Sequence, residues 1–263
     1  MKSVVALLVA AVLAQSAVVQ ADDFAKLDEA LPSGIDISAI APVFDYDSDG
    51  CFPSAGISRS GDQNGGLKPT GSLTGGCRNG NFMDLSNTYH RYACVDSNNV
   101  KYCGHFFSVY MLKDQILAGV KSGHRHDWEK AIVWTENGVV TYGSYSAHSG
   151  VGTAAASEIP QQDGHLKFVY HKDGVATHAM RFAKADEAAE NPQGTFVTPT
   201  IVSWYTMKGD GETTNEVLRN NLNSFDYGNA NFPHNDGRIL GALNSYKPSN
   251  FPEFTQASVD SSQ

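Results

Sequence analysis

Apolar and polar residues alternate over short runs along most of this chain, at the period of a β-strand rather than of a helix. Strands are predicted over Thr88–Tyr92, Gly104–Leu112, Lys130–Trp134, Val139–Tyr145, Lys167–Tyr170, His178–Ala183 and Phe196–Met207. Turn chemistry separates them. Glu136-Asn137-Gly138 predicts a tight hairpin, Asp96-Ser97-Asn98-Asn99 a second one between Cys94 and Cys103, and His171–Thr177 a connecting loop. Helical periodicity is sparse. Phe24–Leu31 predicts one or two turns stopped by Pro32, Glu212–Leu222 a helix with Val217 and Leu218 as its apolar face, and Gly237–Ala242 a weak last helix. Many short strands with few helices predict a mainly β protein with a few short helices, folded as one β-sandwich over residues 22–263.

The first residues break this pattern. Lys2, the apolar run Val4–Leu13 and the small-residue site Val19-Gln20-Ala21 predict a signal peptide over residues 1–21, cleaved after Ala21. The run is too short to span a bilayer, and no other run of about 18 apolar residues follows. The expectation is a secreted, extracellular protein without a transmembrane segment. An oxidising compartment turns Cys51, Cys77, Cys94 and Cys103 into disulfide candidates. Four cysteines allow three pairings, and chain order favours Cys51–Cys77 and Cys94–Cys103, each worth roughly 2–4 kcal/mol. The segment between the first pair is almost all turn chemistry, so it reads as a long stapled loop. No Asn-x-Ser/Thr site is present, so no N-glycan is expected.

Charge narrows the partners. The 263 residues carry a net charge of −9, and the mature chain without Lys2 has 18 bases against 28 acids. That excludes a general nucleic-acid binder and simple electrostatic adhesion to anionic lipid. An acidic surface suits cations, or a ligand bridged by them.

The densest group of candidate ligands is Gly123-His124-Arg125-His126-Asp127-Trp128-Glu129. On a strand leading into Lys130–Trp134, Asp127 and Glu129 share a face with Ala131 and Val133, and His124 is out of phase. His124 joins the carboxylates only if the chain turns before the strand begins, for which Gly123 is suited. Asp114, ten residues before His124 at a strand end, is placed to be a fourth ligand. Three readings follow from these residues: a divalent cation site, a metal-assisted hydrolase with one carboxylate as base, or a salt-linked network in which Arg125 neutralises the acids. A second candidate is Asp45-Tyr46-Asp47-Ser48-Asp49-Gly50, the first half of an EF-hand loop. Its ninth and twelfth positions are Pro53 and Gly56, so it is either a small Ca²⁺ site completed from elsewhere or an Asp/Gly turn. His90, His105, His148, His165 and His234 read as structural or surface histidines, Trp134 and Trp204 as core, and Trp128 as core beneath the ligand corner.

At GHRHDWE the chain resembles the necrosis- and ethylene-inducing peptide 1-like proteins, the plant-targeting cytolysins called NLPs. Further stretches are similar in the same order: Gly65-Gly66-Leu67-Lys68-Pro69-Thr70-Gly71, Lys113-Asp114-Gln115, Tyr145-Ser146-Ala147-His148, Thr177-His178 and Asp226-Tyr227-Gly228-Asn229-Ala230-Asn231. The resemblance implies an actinoporin-like β-sandwich holding Ca²⁺ or Mg²⁺ through Asp114, His124, Asp127 and Glu129, directly or through water. It implies that His126, His178 and Asp173 support this set or meet the ligand. The implied target is the sugar head group of a plant plasma-membrane sphingolipid, glycosyl inositol phosphoryl ceramide, met peripherally and without turnover. The cation then bridges an acidic protein to an anionic lipid. The four cysteines resemble the two-disulfide (type 2) subgroup, and Asp45, Asp47 and Asp49 resemble its extra calcium-binding segment, about residues 41–77. The loop His171–Thr177 carries no Trp, whereas some cytolytic members have one for membrane contact. Two rival functions therefore stand beside the toxin: a non-cytotoxic glycan- or surface-binding protein of this fold, and a metal-dependent hydrolase.

Overall fold

The computed structural model describes residues 24–148 and 150–261, so the expected signal peptide over residues 1–21 lies outside the described residues. The elements are α1 (Ile37–Ile40), β1 (Val43–Tyr46), β2 (Pro53–Ser54), α2 (Phe82–Leu85), β3 (Asn87–Ser97), β4 (Val100–Asp114), β5 (His124–Glu136), β6 (Val139–Ala147), β7 (Gly150–Ala155), β8 (Gln161–Gln162), β9 (His165–Lys172), β10 (His178–Phe182), β11 (Thr200–Ser203), α3 (Asn215–Ser224), α4 (Ile239–Tyr246) and α5 (Gln256–Ser261). The larger sheet runs β11-β3-β4-β5-β6-β7, with β2 also on β4, and the smaller runs β1-β9-β10 with β8 on β9.

Alternation along β4 and β5 explains how the layers stack. Phe107, Val109, Ala131 and Val133 join Phe44, Phe168, Tyr170 and Met180 of the smaller sheet in one core. Their neighbours Phe106, Ile132 and Trp134 pack on the other face against Ile239, Leu243, Phe251, Phe254 and Val259, which α4, α5 and the segment between them supply. The larger sheet is thus buried on both faces, and the protein is a β-sandwich with helical cover on one side. Trp134 is fully buried, and its indole N–H donates to Ser144 Oγ at 2.8 Å.

Both hairpins form as the sequence predicts. Asn98 and Asn99 have φ of 50° and 63°, and Asn137 and Gly138 have 50° and 82°, the backbone of a two-residue turn that follows strand twist. Disulfides link Cys51 to Cys77 and Cys94 to Cys103, the latter across directly paired positions of β3 and β4.

Other expectations are corrected. Phe24–Leu31 is not helical. Ala30 bridges Val202, and Leu27 exchanges two bonds with the buried side chain of Asn87, so this segment runs as an extended edge. The strand expected over Phe196–Met207 shrinks to β11, which pairs in parallel with β3. On α3 the buried residues are Leu218 and Leu222, and Val217 faces solvent. The sequence pattern does not mark α1, β1, β2, α2, β7, β8 or α5, all of six residues or fewer.

Three histidines are buried away from any carboxylate cluster. His90 bonds Ser203 Oγ at 2.7 Å and His105 at 3.2 Å, and His234 bonds Ser108 Oγ at 2.7 Å. Burial pushes His105 down to about 3, and burial plus neighbouring positive charge lowers His90 and His234. The folded state therefore excludes protons that the unfolded chain binds below its ordinary His pKa of about 6.5, and stability falls as pH drops below that value. Each such group contributes on the order of 1 kcal/mol per pH unit. Urea midpoints measured between pH 6.5 and 4 are expected to fall steeply for the wild type and less steeply for His105→Gln.

Candidate metal centre

Asp114 ends β4 and His124 opens β5, and the two are directly paired. Ideal alternation would point His124 and Asp127 to opposite faces. His126 resolves the phase conflict, because its φ is +62°, a left-handed conformation that non-glycine residues rarely hold. The pairing continues in register on both sides, Lys113 with Arg125 and Met111 with Asp127, so no residue is inserted. The local rotation alone brings one ligand atom each of Asp114, His124 and Asp127 within 4.8 Å of one another. The sequence reading required a turn before the strand, and the structure puts the decisive one inside it.

The strained residue is held from two sides. Its ring nitrogen Nδ1 meets Tyr110 Oη at 2.6 Å, and its carbonyl accepts from His124 Nδ1 at 2.6 Å. The second bond fixes the tautomer of His124 and leaves Nε2 with the lone pair a cation needs. Gly66 permits this approach, since a Cβ there would come within 2.6 Å of His126 Nδ1. Gly123, at φ +82°, passes so close to the Asp114 carbonyl that a Cβ would meet its oxygen at 2.2 Å.

The smaller sheet supplies the other half of the support. Tyr170 Oη on β9 donates to Asp127 Oδ2 at 2.8 Å, and the Trp128 amide donates to Oδ1 at 3.0 Å. On β10, His178 donates its backbone N–H to Asp114 Oδ2 at 2.6 Å, and its Nδ1 meets Oδ1 at 2.7 Å. Burial is the largest influence on His178 and opposes its charge, but the bond to Asp114 and the charges of Asp114 and Asp49 together outweigh it and its pKa rises. His178 stacks on Tyr170 with centroids 4.8 Å apart. His178 thus bonds Asp114 directly, and His126 bonds His124 through its carbonyl.

Glu129 lies outside the tight trio. Burial first, then the charges of Asp127 and Asp114, raises its pKa strongly, and it lines the same cleft as His124 and Asp127. The same causes, burial and Asp114, push Asp127 up to about 7. Two buried carboxylates and an imidazole with its lone pair free form a hard, oxygen-rich, anionic donor set, and these residues fit a divalent cation such as Ca²⁺ or Mg²⁺. Asp173 is half-buried in the β9–β10 turn, where its amide donates to Thr177 O at 3.2 Å and its carbonyl accepts from Ala176 at 3.0 Å.

Asp45, Asp47 and Asp49 do not converge. Buried Asp45 accepts from the Glu190 amide at 2.9 Å and Asn191 Nδ2 at 2.8 Å. Asp47 faces Arg181 at 3.8 Å, with burial raising its pKa to about 6. Asp49 reaches His178 Nε2 at 3.4 Å, which joins this segment to the metal corner. The carbonyls of Tyr46, Asp47 and Gly50 all accept from the guanidinium of Arg78, at 2.6–3.3 Å.

His124 and Asp127 open on a cleft of about 380 Å³ whose wall includes Glu129, His148, Thr177, Asn229 and Asn231, with Asp114 buried behind them. His148, which the sequence reading set aside as structural or surface, bonds Thr177 O at 3.1 Å and lines this cleft. Tyr170 was also missed, having no motif around it. The only signal for His148 was its place in the stretch Tyr145-Ser146-Ala147-His148. Trp128 is core as expected, packed among Tyr89, Tyr110, Tyr227 and Phe232.

The fold and site define a β-sandwich protein with an acidic cluster at one corner, and comparison with known proteins gives the family. The profile described as "Necrosis inducing protein (NPP1)" matches residues 36–246. The chain is 33% identical over 209 residues to "NLP effector protein 2" of Phytophthora capsici, covering 76% of this chain and 74% of that protein. It is 31% identical over 201 residues to "Necrosis-inducing protein NPP1" of Phytophthora nicotianae, covering 73% and 74%. A solved structure described as "Toxin fold as basis for microbial attack and plant defense" superposes with a TM-score of 0.68 at 26% identity, over 87% of this chain and 99% of that one. NLPPya in complex with mannosamine gives 0.69 at 24% identity, over 88% and 99%. The "non-toxic HaNLP3 protein" gives 0.68 at 24%, over 88% and 100%. This chain belongs to the NPP1 family of necrosis-inducing NLP proteins, and its two disulfides agree with the two-bridge subgroup.

The supports generate an expectation that the ligands alone do not. His178→Ala leaves Asp114, His124 and Asp127 in place but removes the bond from Nδ1 that aims Asp114. Calcium affinity by isothermal titration is expected to fall about 10–100-fold, the usual effect of losing such a support. Circular dichroism of the same variant checks that the sandwich is intact.

Proposed function

We propose that this protein is a secreted effector that docks through a divalent cation on glycan head groups of plant plasma-membrane sphingolipids, the glycosyl inositol phosphoryl ceramides, without turnover. The observation that carries this reading is the convergence of Asp114, His124 and Asp127, the last two of which line an open cleft. When bound, the cation supplies positive charge and coordination positions that sugar hydroxyls can fill. The chain's own residues hold the two acids apart from solvent and fix their direction. Every carboxylate oxygen of Asp114 and Asp127 already accepts a protein hydrogen bond, which suits a fixed ligand better than a mobile general base. The cleft walls offer hydroxyl and amide groups of Thr177, Asn229 and Asn231, the chemistry that binds sugars. The mannosamine and glucosamine complexes of NLPPya, which has the same fold, support a hexose ligand. No helix among the described residues is long and apolar enough to cross a membrane, and contact with the bilayer is peripheral in this reading.

A second reading, a non-cytotoxic binder, is favoured by the loop between β9 and β10. Its most exposed residue is Val175, 93% accessible, and no aromatic side chain stands in the loop. HaNLP3 shows that the fold occurs in a non-toxic protein. One experiment tests both. Dye-loaded plant plasma-membrane vesicles are titrated with calcium in the presence of wild type or Asp127→Ala, and binding and leakage are measured together. Calcium-dependent binding lost in Asp127→Ala is expected. Leakage that follows binding makes the protein a cytolysin, and binding without leakage makes it the non-toxic binder. Equal binding with calcium and with chelator rejects the cation-bridged reading.

A further inference from the structure

A second and larger cleft, of about 670 Å³, lies on the other side of His124, and its charge is opposite to that of the molecule. Lys68, Lys121 and Arg125 line it against the single carboxylate of Asp226, in a chain with a net charge of −9. None of the three bases forms an ion pair among the described residues. Surface bases in an acidic protein are ordinarily scattered among acids, whereas three uncompensated ones around a concavity focus a positive field into it.

The walls are fixed rather than loose. Pro69 and Gly71 carbonyls accept from the Ser122 and Gly119 amides at 3.2 and 2.8 Å, so the Lys68 and Lys121 loops are laced together. Buried Lys113 and Gln115 donate to Ser72 O at 2.7 Å and Gly71 O at 2.9 Å from beneath. Arg125 is steadied by a 2.7 Å bond from Nη1 to Gly65 O. Buried polar groups therefore hold in place a rim that presents unpaired positive charge. His124 and Asn229 line both clefts, so the basic one continues into the one above the ligand trio.

We propose that the basic cleft is an oxyanion subsite, in which Lys68, Lys121 and Arg125 take the phosphate or carboxylate of an acidic glycan whose adjoining sugar lies over Asp114, His124 and Asp127. This rests on the glycan-docking reading and adds which glycans are selected. A neutral sugar fills one compartment only, and an acidic one fills both. It also gives an acidic protein an attractive contact for an anionic head group besides the cation.

The test titrates the full chain, in calcium, with glucose, glucuronate and myo-inositol 1-phosphate, followed by NMR shifts or calorimetry. At least one acidic probe is expected to bind about tenfold more tightly than glucose, as charge-assisted bonds allow, and added salt is expected to erode that preference. Which acidic probe does so separates carboxylate from phosphate. Lys68→Gln with Lys121→Gln, two exposed changes that remove no packing, is expected to bring the acidic probe down to the affinity of glucose. Arg125→Gln alone should move it the same way. Equal affinity for all three probes in the wild type overturns the subsite, as does a preference that survives both variants. So does an equal loss for glucose and the acidic probes, which marks general damage. Tight binding of an acidic probe, abolished by Lys68→Gln with Lys121→Gln, while glucose shows no calcium-dependent binding, keeps the subsite and rejects the sugar-docking reading instead.

Discussion

The structure turns on two hydrogen-bonded ties that cross the sandwich, Tyr170 to Asp127 and His178 to Asp114. Two carboxylates buried side by side repel, and desolvation penalises both. The larger sheet alone cannot satisfy them, because it presents them from the ends of β4 and β5. The smaller sheet brings a phenol and an imidazole to the same point. The packing of Phe107, Val109 and Val133 on Phe168 and Met180 sets the distance across which those bonds are made. Core and site are thus one construction, and an acidic trio on one layer whose supports come from the other senses any shift between them.

Within that frame, His126 carries the local strain. A residue held at positive φ costs on the order of 1–3 kcal/mol unless its surroundings over-determine it. Here Tyr110, His124 and the closely passing Gly66 do so. The return is a change of strand phase without a bulge, which leaves Trp128 in the aromatic core while His124 and Asp127 meet. The heptapeptide works as a unit whose residues divide between the acidic corner, His124 and Asp127, and the packing side, Trp128.

The long elements and the meeting of Asp114, His124 and Asp127 were legible in the sequence, for physical reasons. β3 to β6 are long and bounded by turn residues, so periodicity and Asn-Gly chemistry mark them. The elements it missed are short, and β1 and β8 exist only because β9 offers them an edge. The Phe24–Leu31 error has the same origin. Helical spacing was present, but the tertiary pairing of Ala30 with Val202 and the grip of Asn87 on Leu27 prevailed. Asp114, His124 and Asp127 came from local spacing. Tyr170 and His148 did not, because they reach the site from distant strands and loops. The aspartates of the Asp45–Gly50 segment show the converse. Their spacing suggests one ligand cage, yet the fold gives each a different partner and places the guanidinium of Arg78 among the carbonyls.

The bond between Cys51 and Cys77 has a meaning beyond the entropy of an unfolded loop. At one end its loop begins beside Gly50, which packs so closely on Tyr170 and His178 that a side chain there would collide with them. Within it runs the wall that carries Lys68 and is knotted to the Lys121 loop. A single covalent clasp therefore belts together the supports of the ligand corner and the rim of the basic cleft. Under reducing conditions the belt is open, and the loop is held only by the chain and its hydrogen bonds. The clasp closes only where conditions are oxidising, so the corner and the rim are joined covalently there and not elsewhere.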